Sequence, residues 1–315
     1  MTENAYEPES GKTRVLVVGG SGFLGRQILS RLGPQRALGT YHRNPFPGGV
    51  VFDASQSSIH HLLNGKHGHF THAVLLYGAI DVERCATDPV GTAAINIDSM
   101  LRVIDAVAEA GIVPVFASTD YVFDGVSGLY RETDEPEPCT AYGRQKRTVE
   151  QRVAKLGERA LIARLSRVVG RTIGTHSVLG PMVADIRAGK PLRCAIDQRF
   201  SPADVDDVAS ALLCLLEKRA SGLFHVAGAE RFSRMELARS LADHIHTVDP
   251  RVHAELIPCR LHELPFHERR PLDTSLVTDK LQASITWPFR RMDEICAAVA
   301  LEQFGRSGAT RQGAK

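Results

Sequence analysis

The chain has 315 residues, 43% apolar and 23% charged, enough to bury an ordinary core as one large domain or two closely joined ones. Its formal net charge is +2 with the charges interspersed, so no global field points to nucleic acid or to a membrane surface. No run reaches the roughly 20 apolar residues of a bilayer span, and the acidic start "MTENAYEPES" lacks the basic and apolar regions of a signal peptide, so a cytoplasmic protein is expected.

The six cysteines (Cys85, Cys139, Cys194, Cys214, Cys259 and Cys296) are far apart and form no CxxC pair. Reduced thiols fit this pattern better than a disulfide framework or a zinc site. Thirteen histidines form no HExxH motif, and His60, His61, His67 and His69 fall in a loop-like stretch, so no metal is expected.

In chain order, residues 1–12 read as a disordered tail. Strand-like runs then alternate with helical ones: "RVLVVGG", "RALGTYH", "GVVFDA", "HAVLLYG", "VPVFAST" and "ALIARLS", separated by "RQILSRLG", "SMLRVIDAVAEAG" and "KRTVEQRVAKLGE". Strands apolar on both faces with amphipathic helices between them predict an α/β fold, a doubly wound parallel sheet, over residues 13–170. Beyond 170 the alternation fades. "GPMVADIRAGK", "DVDDVASALLCLLEK" and "SRMELARSLADHI" read as helices, with short strands such as "LFHVAG". Residues 171–304 are expected to form mainly a smaller, discontinuous substrate-binding lobe, with segments returning to the first domain. The stretch 305–315 reads as a second disordered tail.

The first strand runs into Gly19, Gly22 and Gly25, a GxxGxxG with Gly20 in addition. Glycine allows positive φ and close backbone approach. The helix that opens at Phe23 and Leu24 aims free N–H groups and its dipole at a pyrophosphate. A strand before the motif and a helix after it are the context that makes it a dinucleotide site. A phosphate loop at Gly11-Lys12-Thr13 fails, because Tyr6 stands where such a loop needs glycine. The second strand ends without the acid of an NAD site and carries His42 and Arg43 instead. A cation there suits a 2′-phosphate, which predicts NADP(H) rather than NAD(H). Asp53 ends the third strand, where it would either meet adenine or cap the next turn.

"AYGRQK" contains Tyr142 and Lys146, four residues apart and on one helix face. An ammonium beside a phenol is expected to pull the tyrosine pKa down, so that it can exchange a proton as a carbonyl and an alcohol interconvert. Upstream, "STDYVFDG" puts Thr119 or Ser118 at a strand's carboxyl end, where either hydroxyl would meet a substrate oxygen.

With "GGSGFLG", "STDYVFDG", "AYGRQK", "DQRFSPADVDDVA", "GLFHVAGAERFSRMELA" and "RPLDTSLVTDKL" spread over residues 14–282, the chain resembles the extended short-chain dehydrogenases/reductases. More narrowly it resembles the sugar-nucleotide-binding, dTDP-4-dehydrorhamnose reductase-like branch. The resemblance implies an NAD(P)-binding Rossmann fold and reduction of a 4-keto sugar nucleotide. It makes Thr119 the catalytic hydroxyl, Tyr142 the proton donor and Lys146 the group that holds the nicotinamide ribose. It places Tyr77 and Gly78 beside the cofactor, and Asn96 in a structural or relay position. It puts Ser118, Asp120, Arg199, Ser201 and Arg270 on the substrate side, and carries the expectation of a homodimer.

The chain departs from the family pattern at "LYGAIDVE" and at Arg167, which replaces a tryptophan. That extra cation would meet a diphosphate or a sugar acid, or lie at the surface. Two other functions fit the same fold: a non-catalytic NADP-binding regulatory subunit, as in a branch that regulates methionine adenosyltransferase, and an epimerase using tightly bound NAD. The intact Thr119–Tyr142–Lys146 set weighs against the first, and the absence of a glutamate after Asp120 weighs against a dehydratase. His225, in "LFHVAG", reads as a core or turn histidine.

Overall fold

Strands buried on both faces sort their side chains by parity, since neighbouring residues point to opposite layers. The computed structural model describes residues 13–64, 67–170 and 177–305. The tails expected at 1–12 and from 306 onward lie outside the described residues. Strands β1 (Val15–Val18), β2 (Ala37–Tyr41), β3 (Val50–Val51), β4 (His72–Leu75), β5 (Val113–Thr119), β6 (Leu161–Leu165) and β7 (Gly222–Val226) form one parallel sheet. Its order is β7-β6-β5-β4-β1-β2-β3. The longer helices are α1 (Phe23–Arg36), α2 (Met100–Glu109), α3 (Ala141–Ala154), α4 (Leu179–Arg187), α5 (Val205–Glu217), α6 (Arg234–Val248) and α7 (Met292–Phe304).

Val15 and Val17 of β1, Val74, Val115, Leu161 and Ala163 share a core with Ile28 and Leu32 of α1 and Val208 and Leu212 of α5. The alternate residues Leu16, Val18, Ala73, Leu75, Phe116 and Ile162 share another with Val103, Ile104 and Val107 of α2 and Val149 and Val153 of α3. The sheet is therefore wound on both sides, a Rossmann-like architecture. From β1 the chain proceeds outward to β3, then crosses back to place β4 on the other flank of β1. The switch point between β1 and β4 is where such sheets leave a crevice at their carboxyl edge.

The segment after residue 170 divides between two cores. "LFHVAG" supplies β7, paired with β6, and α5 covers the same face as α1. The remaining helices α4, α6 and α7 pack on one another through Leu179, Met182, Leu237, Leu241, Ile295 and Val299. A short parallel pair, Leu192–Ala195 with Leu256–Cys259, completes this lobe. No helix among the described residues is long and apolar enough to cross a membrane.

Candidate active site

A cavity of about 840 Å³ opens over the carboxyl ends of β1, β2, β4, β5 and β6. Gly19 leaves β1 at φ +90°, and a Cβ there would stand 2.9 Å from the Tyr77 backbone nitrogen. A Cβ on Gly25 would meet the Gly19 carbonyl at 2.6 Å and the Gly20 Cα at 2.8 Å, so this glycine lets α1 pack directly on the turn. Gly22 caps α1 with no side-chain hydrogen bond, and its own N–H donates to the Gly19 carbonyl at 3.0 Å. The first amides of α1, at Phe23 and Leu24, thus have no acceptor within the helix and line the cavity. Orphan donors at a positive-φ turn at the start of a helix fit the pyrophosphate of a nicotinamide dinucleotide.

His42 and Arg43 follow β2 directly, both exposed and both lining the cavity. His42 Nε2 lies 3.3 Å from Asp53 Oδ2. Asp53 also accepts from the Ser55 amide at 2.9 Å and the Ser55 hydroxyl at 2.6 Å, so its carboxylate organises the turn it ends on while still lining the cavity. Hydrogen bonds from Ser55 hold that carboxyl below its usual range. Among the described residues Arg43 enters no ion pair. Tyr77 and Gly78 follow β4 and line the middle of the cavity. Asn96 lies behind them: its amide donates to the Ala79 carbonyl (2.9 Å) and to Gln145 (2.7 Å), and its oxygen accepts from the Ala79 amide (2.7 Å).

Thr119, Tyr142 and Lys146 line the same cavity. Thr140 caps α3, accepting from the Gly143 amide at 3.0 Å, and α3 then carries Tyr142 and Lys146 into the cavity. Thr119, at the end of β5, lines the cavity with Tyr142 and donates its hydroxyl to Asp120 Oδ1 at 3.1 Å. Ser118 points its hydroxyl the other way, donating to Glu150 Oε1 at 2.6 Å.

The expected lowering of the tyrosine pKa is not what this geometry gives. Burial pushes the Tyr142 phenol up, and the charge of Asp120 adds to the effect. Lys146 does not counter this, because its own lowered pKa leaves it neutral at the high pH where such a phenol would ionise. It donates to the Ala117 carbonyl at 2.8 Å, lies 4.8 Å from the Phe116 ring centroid, and stands 5.9 Å from that of Tyr142. Burial lowers its own pKa to about 8, against the pull of Glu150.

Glu150 is a residue the motif reading missed. Both of its oxygens accept from Arg164, Nε to Oε1 at 2.9 Å and Nη2 to Oε2 at 2.8 Å, in a pair almost closed to solvent. The parallel register sets Ser118, Arg164 and His225 side by side across β5, β6 and β7. His225 Nε2 lies 3.4 Å from Arg164 Nη1 and the ring is wholly buried, a core position as expected. A signal was available in the sequence: Tyr142, Lys146 and Glu150 continue one four-residue spacing along a single helix face.

The far end of the cavity, beyond β5 and β6, is lined by Asp120, Tyr121, Ser166, Arg167 and Arg234. The buried Asp120 carboxylate accepts from Thr119 (3.1 Å), Ser166 (2.9 Å) and Thr274 (2.7 Å). Burial still raises its pKa, with Arg167 opposing. Arg199 and Arg270 are not among the residues that line the cavity. Arg199 pairs with Glu236 at 3.3 Å, and Arg270 pairs with Glu83. Ser201 is also set back, its hydroxyl accepting from the Leu276 amide at 3.2 Å.

A family model described as the RmlD substrate binding domain matches residues 13–302. A probable low-salt glycan biosynthesis reductase of Haloferax volcanii is 34% identical over 52% of this chain and 56% of its own length. Methionine adenosyltransferase 2 subunit beta of Pongo abelii is 28% identical over 73% of this chain and 71% of its own. The structure of a hypothetical dTDP-4-dehydrorhamnose reductase from Sulfolobus tokodaii superposes with a TM-score of 0.78 at 28% identity, over 89% of this chain and 98% of that one. That of a dTDP-4-dehydrorhamnose reductase from Bacillus anthracis in complex with NADP has the same fold, with a TM-score of 0.77 at 23% identity, over 93% and 99%.

Proposed function

We propose, on the premise that this chain belongs to the RmlD substrate binding domain family and is an NAD(P)-dependent oxidoreductase similar to the dTDP-4-dehydrorhamnose reductases, that it reduces the ketone of a keto sugar nucleotide with NADPH. The observation that carries this reading is geometric: Thr119, Tyr142 and Lys146 line one cavity with the glycine turn. A phenol whose pKa is raised keeps its proton at neutral pH. That is the state needed to hand a proton to a carbonyl oxygen as it becomes an alcohol.

Each neighbour has a separate task. The Thr119 hydroxyl, on the same cavity wall as the phenol, meets the substrate oxygen alongside it. Lys146, anchored on the Ala117 carbonyl, keeps a cation under the site and has further N–H donors for a ribose. The Phe23 and Leu24 amides hold the pyrophosphate, and Arg43 receives a 2′-phosphate, which favours NADPH over NADH. Bound along this wall, the dihydronicotinamide supplies the hydride.

NADPH oxidation with a panel of keto sugar nucleotides, both neutral 4-keto-6-deoxy sugars and keto sugar acids, tests the reading in wild type and Tyr142→Phe. The expected outcome is turnover in wild type that falls by about 10²- to 10⁴-fold in the variant, with NADPH binding, followed by nucleotide fluorescence, retained. The match to methionine adenosyltransferase 2 subunit beta supports a second reading, an NADP-binding regulatory subunit. Tight NADPH binding with no turnover on any keto sugar would overturn the reductase in its favour.

A further inference from the structure

The substrate end of the cavity holds more positive charge than a neutral sugar uses. Arg167, just beyond β6, and Arg234, the first residue of α6, are both half-buried and both line it. Arg167 Nη2 donates to the Tyr121 hydroxyl at 2.8 Å, and its guanidinium lies 5.4 Å from the Tyr121 ring centroid and 5.9 Å from that of Phe200. These contacts fix the guanidinium in place without neutralising it. The Arg234 guanidinium lies near the Cys194 thiol. Among the described residues neither guanidinium enters an ion pair, whereas Arg199, Arg231 and Arg270, which do not line the cavity, pair with Glu236, Asp273 and Glu83.

Asp120 is the carboxylate on this wall, and its oxygens are taken by three hydroxyls. It offsets one of the two cations and leaves a surplus of positive charge. A cation in the first turn of α6 also opposes the helix dipole. Burial works against the Arg234 cation, and the charge of Arg167 adds to the penalty. Two half-buried like charges beside a helix N-terminus are costly unless an anion comes between them.

The position of the pair says which part of a substrate supplies that anion. Arg167 is held by Tyr121, whose ring stands edge-on to Tyr142 at 6.4 Å between centroids. A group bound there sits beside the reacting carbonyl, and an arginine fork matches a carboxylate with two parallel hydrogen bonds. We propose that the sugar of the substrate carries a carboxylate, held between Arg167 and Arg234 next to the carbonyl that Tyr142 protonates. This rests on the reductase reading of the same cavity and narrows it to keto sugar acids linked to a nucleotide.

The test is binding, which needs no turnover. Calorimetry on the full chain loaded with NADPH compares UDP-glucuronate, UDP-glucose and UDP. Wild type is expected to bind the sugar acid roughly 10- to 100-fold more tightly than the neutral sugar, the range for a charge-assisted pair. Arg167→Met and Arg234→Met should each remove about tenfold of that preference and leave the affinity for UDP alone unchanged. Arg167→Lys should keep part of it, and retained NADPH affinity marks each variant as folded. Equal or absent binding of both sugars in wild type, or a preference that survives both methionine variants, overturns the proposal. So does an equal loss for UDP, since the pair would then hold the diphosphate. A preference that persists while no keto sugar is turned over would sink the reductase reading and leave the anion site standing.

Discussion

The two ends of the cavity recognise by different means. At the cofactor end the work is done by backbone: a left-handed Gly19, uncapped amides at the start of α1, and a Gly25 without which the helix would not seat on the turn. These residues lie within seven consecutive positions. At the proposed substrate end the wall is built of side chains drawn from remote segments: Thr119 and Asp120, Arg167, Arg234 and Thr274. Backbone recognition follows from local conformation and tolerates change elsewhere. A side-chain constellation depends on how the lobe docks on the sheet.

If the two ends are separable, a change at one should spare the other. Tyr142→Phe is the largest expected effect of this kind: about 10²- to 10⁴-fold on kcat/KM, with the NADPH Kd unchanged. A parallel loss of NADPH binding in steady-state fluorescence titration would break the division.

Glu150→Gln strikes the element that joins the two ends. It leaves the buried Arg164 without its partner, which is expected to cost about 3–5 kcal/mol in a urea unfolding curve. It also removes the charge that holds the Lys146 pKa up, so that value falls below about 8. The sign is definite. The native Lys146 pKa of about 8 lies below its ordinary 10.5, so between those values the unfolded chain binds more protons and stability rises with pH. Activity that needs the ammonium falls as pH rises through about 8, and Glu150→Gln should move the alkaline limb of the pH–rate profile to lower pH. A limb that stays in place would mean that Lys146 does not need its charge.

How much of this was legible follows from the same contrast. The glycine turn and the Tyr142–Lys146 spacing are local, so motif and periodicity suffice to find them. The parity of the strands was legible for the same reason, and "LFHVAG" returned to the sheet as β7. The Ser118–Arg164–His225 rung was not, because it is created by register between three strands remote in sequence. Arg199 and Arg270 stood out as cations near the right motifs, but pairing with Glu236 and Glu83 is a tertiary fact. The direction of the Tyr142 shift also depends on depth. Spacing puts an ammonium near the phenol, but only the packed structure tells that burial outweighs it.

Acid separates the halves with opposite signs. His72 in β4 and His225 in β7 are buried, and burial holds both near pKa 4 against an ordinary 6.5. Between those values the unfolded chain binds more protons, so the sheet loses stability as pH falls from 6.5 toward 4, by an amount on the order of a few kcal/mol. Asp120 at the substrate end works the other way: its raised pKa means that protonation on acidification relieves the cost of its burial. Chemical denaturation at pH 6.5 and 4.5 should show the net loss, and His72→Phe should flatten it. An unchanged slope in that variant would assign the acid limb to other groups.

The smallest expected effect tests the side chain that would read the 2′-phosphate at the cofactor end. His42 is drawn to Asp53 at 3.3 Å, and Asp53 is in turn engaged by Ser55. Arg43 is left as the cation after β2 that lines the cavity with no ion pair among the described residues. Removing it should raise the KM for NADPH by roughly tenfold, since an exposed charge-assisted contact is worth about one such factor. The KM for NADH, which has no 2′-phosphate, should stay within about twofold, and kcat should not move. The tenfold difference should shrink in high salt, because the Debye length falls to roughly 3 Å at 1 M. Equal changes with both nucleotides would mean that Arg43 acts on the adenosine they share, and the preference for NADPH would then have to come from the backbone.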